Sequence, residues 1–173
     1  MNRPGLVMQA AYIALGSNLN NPQRQLQQGF AALLHLPHTQ LVAQSSLYRS
    51  APVGYADQPD FVNAVAAVTT GLAPRELLDA LLVIERAQGR AREIPNVLNG
   101  PRTLDLDLVL YGERVLDEPG LTVPHPRMAQ RAFVIVPLAE IAPGAVVPGL
   151  GCVSDLLRGV NAGDLVMLNP VAA

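Results

Sequence analysis

The sequence predicts an α+β fold, a mainly antiparallel sheet with helices packed on it, and three observations carry that expectation. Apolar residues alternate or run together in four strand-length segments, they recur at helical spacing in two longer ones, and turn residues separate the six. Half of the 173 residues are hydrophobic and only 15% are charged, as a packed core requires and a disordered chain does not show. With three phenylalanines, four tyrosines and no tryptophan, aliphatic side chains must fill that core.

Residues 11–15 read as a buried strand, ended by Gly16, Ser17 and Asn18, which tolerate tight turns. Asn21 before Pro22 is an N-cap with proline at the first helical position; it opens a helix to about residue 36 with Leu26, Phe30, Leu33 and Leu34 inward. A second strand follows over 40–49, then a polar loop, then a third strand over 61–70. After Pro74 a second helix carries Leu77, Leu78, Leu81, Leu82 and Ile84 at helical spacing up to about Gln88, and Gly89 stops it. The fourth strand is 104–111, turned by Gly112 and Glu113 toward a short partner at 114–116. Past residue 120, Pro124, Pro126, Pro137, Pro143 and Pro148 punctuate a C-terminal extension with a strand expected at 133–137 and a helix near 153–158. The order strand, helix, strand, strand, helix, strand is that of a ferredoxin-like βαββαβ core, with its helices on one face. No repeat or charge block divides the chain, so 1–173 is expected to be a single domain with short tails.

A net charge of -2 gives no general attraction to nucleic acid or to an anionic membrane, and neither is expected as a partner. All twelve basic residues are arginine, so a phosphate site here would use planar bidentate forks; a coding bias across the proteome explains the same count. The one cysteine, Cys152, fits a reducing compartment and reads as a small packing residue. The first residues make a poor signal peptide and no run of 18 apolar residues exists, so the cytoplasm is the expected location.

The run GPRTLDLDLVLYG, residues 100–112, sets Asp105 and Asp107 inside an apolar strand. Alternation puts Asp105, Asp107, Val109 and Tyr111 on one face and Leu104, Leu106, Leu108 and Leu110 on the other, core face. Carboxylates about 6–7 Å apart at their Cβ atoms repel unless something offsets the charge. A divalent cation does so, and oxygen-only ligands suit magnesium shared with substrate phosphates. A solvated strand face, or a carboxylate paired with arginine, fits the same pattern. Arg102 nearby adds a fork for phosphate charge, while the P-loop and kinase glycine signatures are missing.

The stretch from Gly100 through Asp107 resembles the signature of the 6-hydroxymethyl-7,8-dihydropterin pyrophosphokinase family of the folate pathway. Further likenesses fall in order at Ala14 to Leu19, Ser46 to Ser50, Asp57 to Ala64, Ile84 to Arg90, Leu121 to His125 and Arg131 to Phe133. The resemblance implies transfer of pyrophosphate from ATP to the pterin alcohol, with AMP as the other product. By that resemblance Asp105 and Asp107 hold Mg2+, two ions being expected, and Arg90, Arg102 and Asp107 are catalytic. Arg92, Leu108, Thr122, His125 and Arg131 would bind ATP. Ser50, Val53, Phe61, Asn63 and Phe133 would bind the pterin, stacked on rings and read along its edge by the amide, and Glu85 would support an arginine or a metal-bound water. Residues 90–102 would form a lid, with Val97 or Leu98 as its apolar cover. It departs from the family in carrying Asn99 before Gly100, where many members have tryptophan. A monomer is expected. A non-catalytic pterin or nucleotide module and a metal-dependent phosphohydrolase are the rival classes; the intact aspartates and arginines weigh against the first, and no water-activating base is evident for the second.

Overall fold

The computed structural model describes residues 7–52, 57–89 and 103–168. Strand β1 (Gln9–Ser17) alternates as its sequence does: Ala11, Ile13 and Leu15 are buried on one side, and Tyr12, Ala14 and Gly16 take the other. Helix α1 (Pro22–Leu34) is capped by the Asn21 side chain, which accepts from the Arg24 N–H, and buries Leu26, Gly29, Phe30 and Leu33. Leu34, expected inward, is exposed, because it lies one position past the buried stripe.

The expected strand over 40–49 is two strands, β2 (Thr39–Gln44) and β3 (Tyr48–Ser50). Both pair with the same edge of β4 (Phe61–Thr70). The break follows from Ser45: its N–H donates to the Val65 carbonyl at 2.9 Å, and its hydroxyl accepts from the Val65 N–H at 2.8 Å. With Tyr48 already opposite Asn63, Ser46 and Leu47 share the space across from Ala64, a one-residue bulge. Helix α2 (Pro74–Ala87) starts with the Glu76 carboxylate accepting from the Ala73 N–H and ends at Gly89, whose φ of 78° is the left-handed conformation that glycine adopts freely.

Strand β5 (Asp105–Tyr111) lies against β1, so the order is β5, β1, β4 and then β2 with β3, every pair antiparallel. This is the expected βαββαβ arrangement. Alternation along β5 fails once: Ile13 faces Leu108 and Tyr12 faces Leu110, leaving Val109 as an extra residue. Beyond that bulge the faces exchange. Tyr111 joins Leu104, Leu106 and Leu108 under α1 and α2, while Val109 and Leu110 belong to the opposite core. The segment expected to pair with β5 at 114–116 instead leads into β6 (Leu116–Glu118), which pairs with β7 (Leu121–Val123).

The opposite core exists because residues 133–137 are not a strand. They lie within helix α3 (Ala132–Ile141), whose Val134, Ile135 and Leu138 cover Val65, Val109 and Leu110. A run apolar on every side carries no period, and burial between layers outweighs the β-propensity of its branched residues. After the short pair β8 (Val146–Val147) and β9 (Gly151–Cys152), helix α4 (Val153–Arg158) falls where the sequence predicts it and packs on α3. Cys152 is more than filler there, since its thiol donates to the Pro143 carbonyl. A last strand, β10 (Val166–Met167), extends the sheet beyond β3. Helices α1 and α2 thus pack on one face as expected, and the C-terminal extension covers the other.

Candidate active site

The two aspartates sit where the sheet is thinnest in side chains. Across the ladder Asp105 faces Gly16 and Asp107 faces Ala14, so β1 sets nothing larger than a methyl group opposite either residue. The space left open is a cavity. Ala14, Gly16, Asp105 and Asp107 form its floor, Ser50, Phe61 and Asn63 form one wall, and Arg131 with Phe133 from the start of α3 forms another. A second cleft along the outer edge of β5 is lined by Leu108, Thr122 and His125. Asp107 lines both.

Sequence reading assigned these residues to two sets, and the fold keeps the sets apart. Ser50, Phe61, Asn63 and Phe133 meet in the first cavity; Leu108, Thr122 and His125 meet in the second. Arg131, grouped with the second set, lines the first, with its guanidinium 5.5 Å from the Phe133 ring centroid, a cation–π distance. Val53, Arg90, Arg92 and Arg102 lie outside the described residues, as does the expected lid.

Asn63 is buried and its amide nitrogen donates to the Ser50 hydroxyl at 2.8 Å and more weakly to the Tyr48 carbonyl at 3.4 Å. The oxygen end therefore turns toward Gly16, 3.6 Å from where a Cβ would stand on that glycine. Glu85, on the last turn of α2, is only 3% exposed, not solvated, and accepts from the Leu106 N–H at 2.8 Å. That bond fixes the residue between the two aspartates. Buried Asn18 donates to the Gln58 side chain and the Pro59 carbonyl, tying the turn after β1 to the loop before β4 at the cavity rim.

His125 is anchored through its backbone N–H to the Val109 carbonyl, and its Nδ1 accepts from the Arg127 N–H. Burial pushes its pKa below the usual histidine value; the Arg131 and Arg127 charges push the same way, and Asp105 opposes them. A neutral imidazole is thereby favoured beside the anionic floor. Arg127 also lines the first cavity. Sequence reading missed it, although its place two residues after His125 was a usable signal. The role of Gly16 had none, because it depends on the strand facing it.

The family model of 7,8-dihydro-6-hydroxymethylpterin-pyrophosphokinase (HPPK) matches residues 12–143. A 2-amino-4-hydroxy-6-hydroxymethyldihydropteridine pyrophosphokinase from Pseudomonas aeruginosa is 55% identical over 82% of this chain and 86% of its own length. One of the same name from Haemophilus influenzae is 48% identical over 94% of this chain and 100% of its own. A crystallised Plasmodium falciparum HPPK-DHPS chain superposes with a TM-score of 0.67 at 12% identity, covering 91% of this chain and 45% of that one, a likeness of fold. With most of its length matched by the family model and by such relatives, the chain belongs to the 7,8-dihydro-6-hydroxymethylpterin-pyrophosphokinase family, ATP-dependent diphosphokinases of folate biosynthesis.

Proposed function

We propose that this chain transfers the terminal pyrophosphoryl group of ATP to the hydroxymethyl oxygen of 6-hydroxymethyl-7,8-dihydropterin where its two clefts meet. A bond forms between that oxygen and the β-phosphorus, the bond from the β-phosphorus to the oxygen on the α-phosphate breaks, AMP leaves, and the hydroxyl proton is lost. The single observation that carries this reading is that Asp107 lines both clefts. The first cleft, with rings at Phe61 and Phe133 and an amide at Asn63, suits a flat heterocycle with a polar edge. The second, with Thr122 and a neutral His125, suits the nucleotide. Much of the catalysis is then alignment of two bound substrates.

The donor chemistry fits magnesium. Two carboxylates at i and i+2 on one strand face, opposite a glycine and an alanine on β1 and lining a cavity, leave room for oxygens from a ligand. Among the described residues no cluster of three His, Cys, Asp or Glu forms a closed cage, so the remaining ligands would come from phosphate and water. Bound there, magnesium would neutralise phosphate oxygens and polarise the group being transferred. Asp105 and Asp107 hold that charge, Glu85 fixes the strand between them, and Arg131 adds a cation at the cavity. Arg90 and Arg102 would add forks for charge developing on the phosphates, and Arg92 a further contact. We read 1–173 as a single domain acting as a cytoplasmic monomer; among the described residues no helix is long and apolar enough to cross a membrane.

Purified protein with magnesium, ATP and the pterin should release AMP only when all three are present. Asp107→Asn should abolish that AMP while leaving the protein folded by circular dichroism. ADP or phosphate released without the pterin would instead identify a hydrolase, and near-normal turnover by the variant would remove Asp107 from the site.

A further inference from the structure

The C-terminal end of α3 carries Glu140, outside the site described above. Its carboxylate accepts from the Ser46 N–H at 3.0 Å, from the Ser46 hydroxyl at 2.8 Å and from the Tyr48 hydroxyl at 2.5 Å. These donors lie in or beside the bulge that separates β2 from β3. There β4 offers no further rung to Ser46, and the carboxylate supplies the acceptor instead.

Strand β3 is only three residues long, and this anchor holds its entry beside the ladders it makes with β4 and β10. Two of those residues reach Asn63: the Tyr48 carbonyl and the Ser50 hydroxyl both accept from its amide nitrogen. Glu140 also lies two helical turns from Phe133, on the same element. A single carboxylate therefore ties the wall bearing Phe133 to the wall bearing Ser50, Phe61 and Asn63.

We infer that Glu140 is a positioning residue for the heterocycle: it holds β3 so that Asn63 keeps its oxygen end toward the cavity and Phe133 keeps its spacing from the facing wall. This rests on assignment of the first cavity to the pterin. Glu140 touches no reacting atom, so its loss should weaken pterin recognition and spare the chemical step.

Steady-state kinetics of Glu140→Ala, Glu140→Gln and Asn63→Ala test the inference. Glu140→Ala should raise KM for the pterin about tenfold, with kcat and KM for ATP within about twofold of the parent. Glu140→Gln keeps one acceptor oxygen and should fall between. A drop in kcat, an equal rise in both KM values, or an unchanged pterin KM while Asn63→Ala raises it would overturn the inference and leave the cavity assignment standing. An unchanged pterin KM in Asn63→Ala would bring down the assignment itself, and the inference with it. Should Glu140→Ala not fold, Tyr48→Phe removes one donor without altering charge; it should show the same split at smaller size, and a normal pterin KM there overturns the inference.

Discussion

Gly16 is the residue where fold and function separate most cleanly. A Cβ added there would meet Asn63 Oδ1 at 3.6 Å, an ordinary contact, so Gly16→Ala should fold normally. The methyl would occupy the cavity beside Asp105, and pterin KM should rise about tenfold with the melting temperature unchanged. Glu85→Ala should act on stability as well: it strips a buried N–H of its acceptor and should cost about 1–3 kcal/mol in denaturant unfolding. An NMR titration of His125 should give a midpoint below 6.5; Arg131→Ala should raise it, and Asp105→Asn should lower it further. The two aspartates were legible in the sequence because charge inside an apolar alternation is a local anomaly. Glu140 was not, since its donors lie more than ninety residues away in the chain.

Among the elements, both core helices were readable from their period and β4 as an apolar run bounded by turn residues, and α3 was not. Phe133 to Leu138 offers no polar residue to mark a face, and only the packing partner decides its conformation. The bulges at Ser46–Leu47 and Val109 were hidden for a related reason: each is a disagreement with a partner strand. Helix α1 meets the sheet closely at Gly29, where an added Cβ would stand 3.0 Å from Leu15 and 3.3 Å from Leu104. Both leucines are buried in the core, so their methyls would have to shift within it. Gly29→Ala should therefore lower stability by about 1 kcal/mol, overpacking of about 1–3 kcal/mol outweighing a helix-propensity gain of up to about 1 kcal/mol.

At the scale of the whole molecule, the sheet is covered on both faces, and the C-terminal extension builds one wall of the cavity as well as the second core. Leu138→Ala, at the centre of that core, should cost about 2–5 kcal/mol and release the Phe133 wall with it. Stability depends on pH through Tyr48 and His125, and through Tyr111, whose pKa burial also raises and which adds to the alkaline arm. Tyr48 is raised above its usual 10.0 by burial and by its hydrogen bond to Glu140, so the folded state holds that proton more tightly. Its contribution is complete below pH 10 and fades as pH climbs further; Tyr48→Phe should flatten that alkaline arm. His125 has the opposite sign. Its folded pKa lies below 6.5, so its contribution is present above that value and is lost as pH falls. Thermal melts across pH should show both arms.

The extra residue at Val109 makes β5 a strand with two phases. Asp105 and Asp107 keep time with the cavity; Tyr111 keeps time with the helix core, where its hydroxyl donates to the Leu72 carbonyl at 2.6 Å. Deleting Val109 would remove no side chain from the site, yet it would merge the phases. Either the carboxylates turn inward beneath the helices or Tyr111 turns away from Leu72. A single missing methine-branched residue should thus silence the enzyme or unfold it, whereas Val109→Ile keeps the count and should do neither.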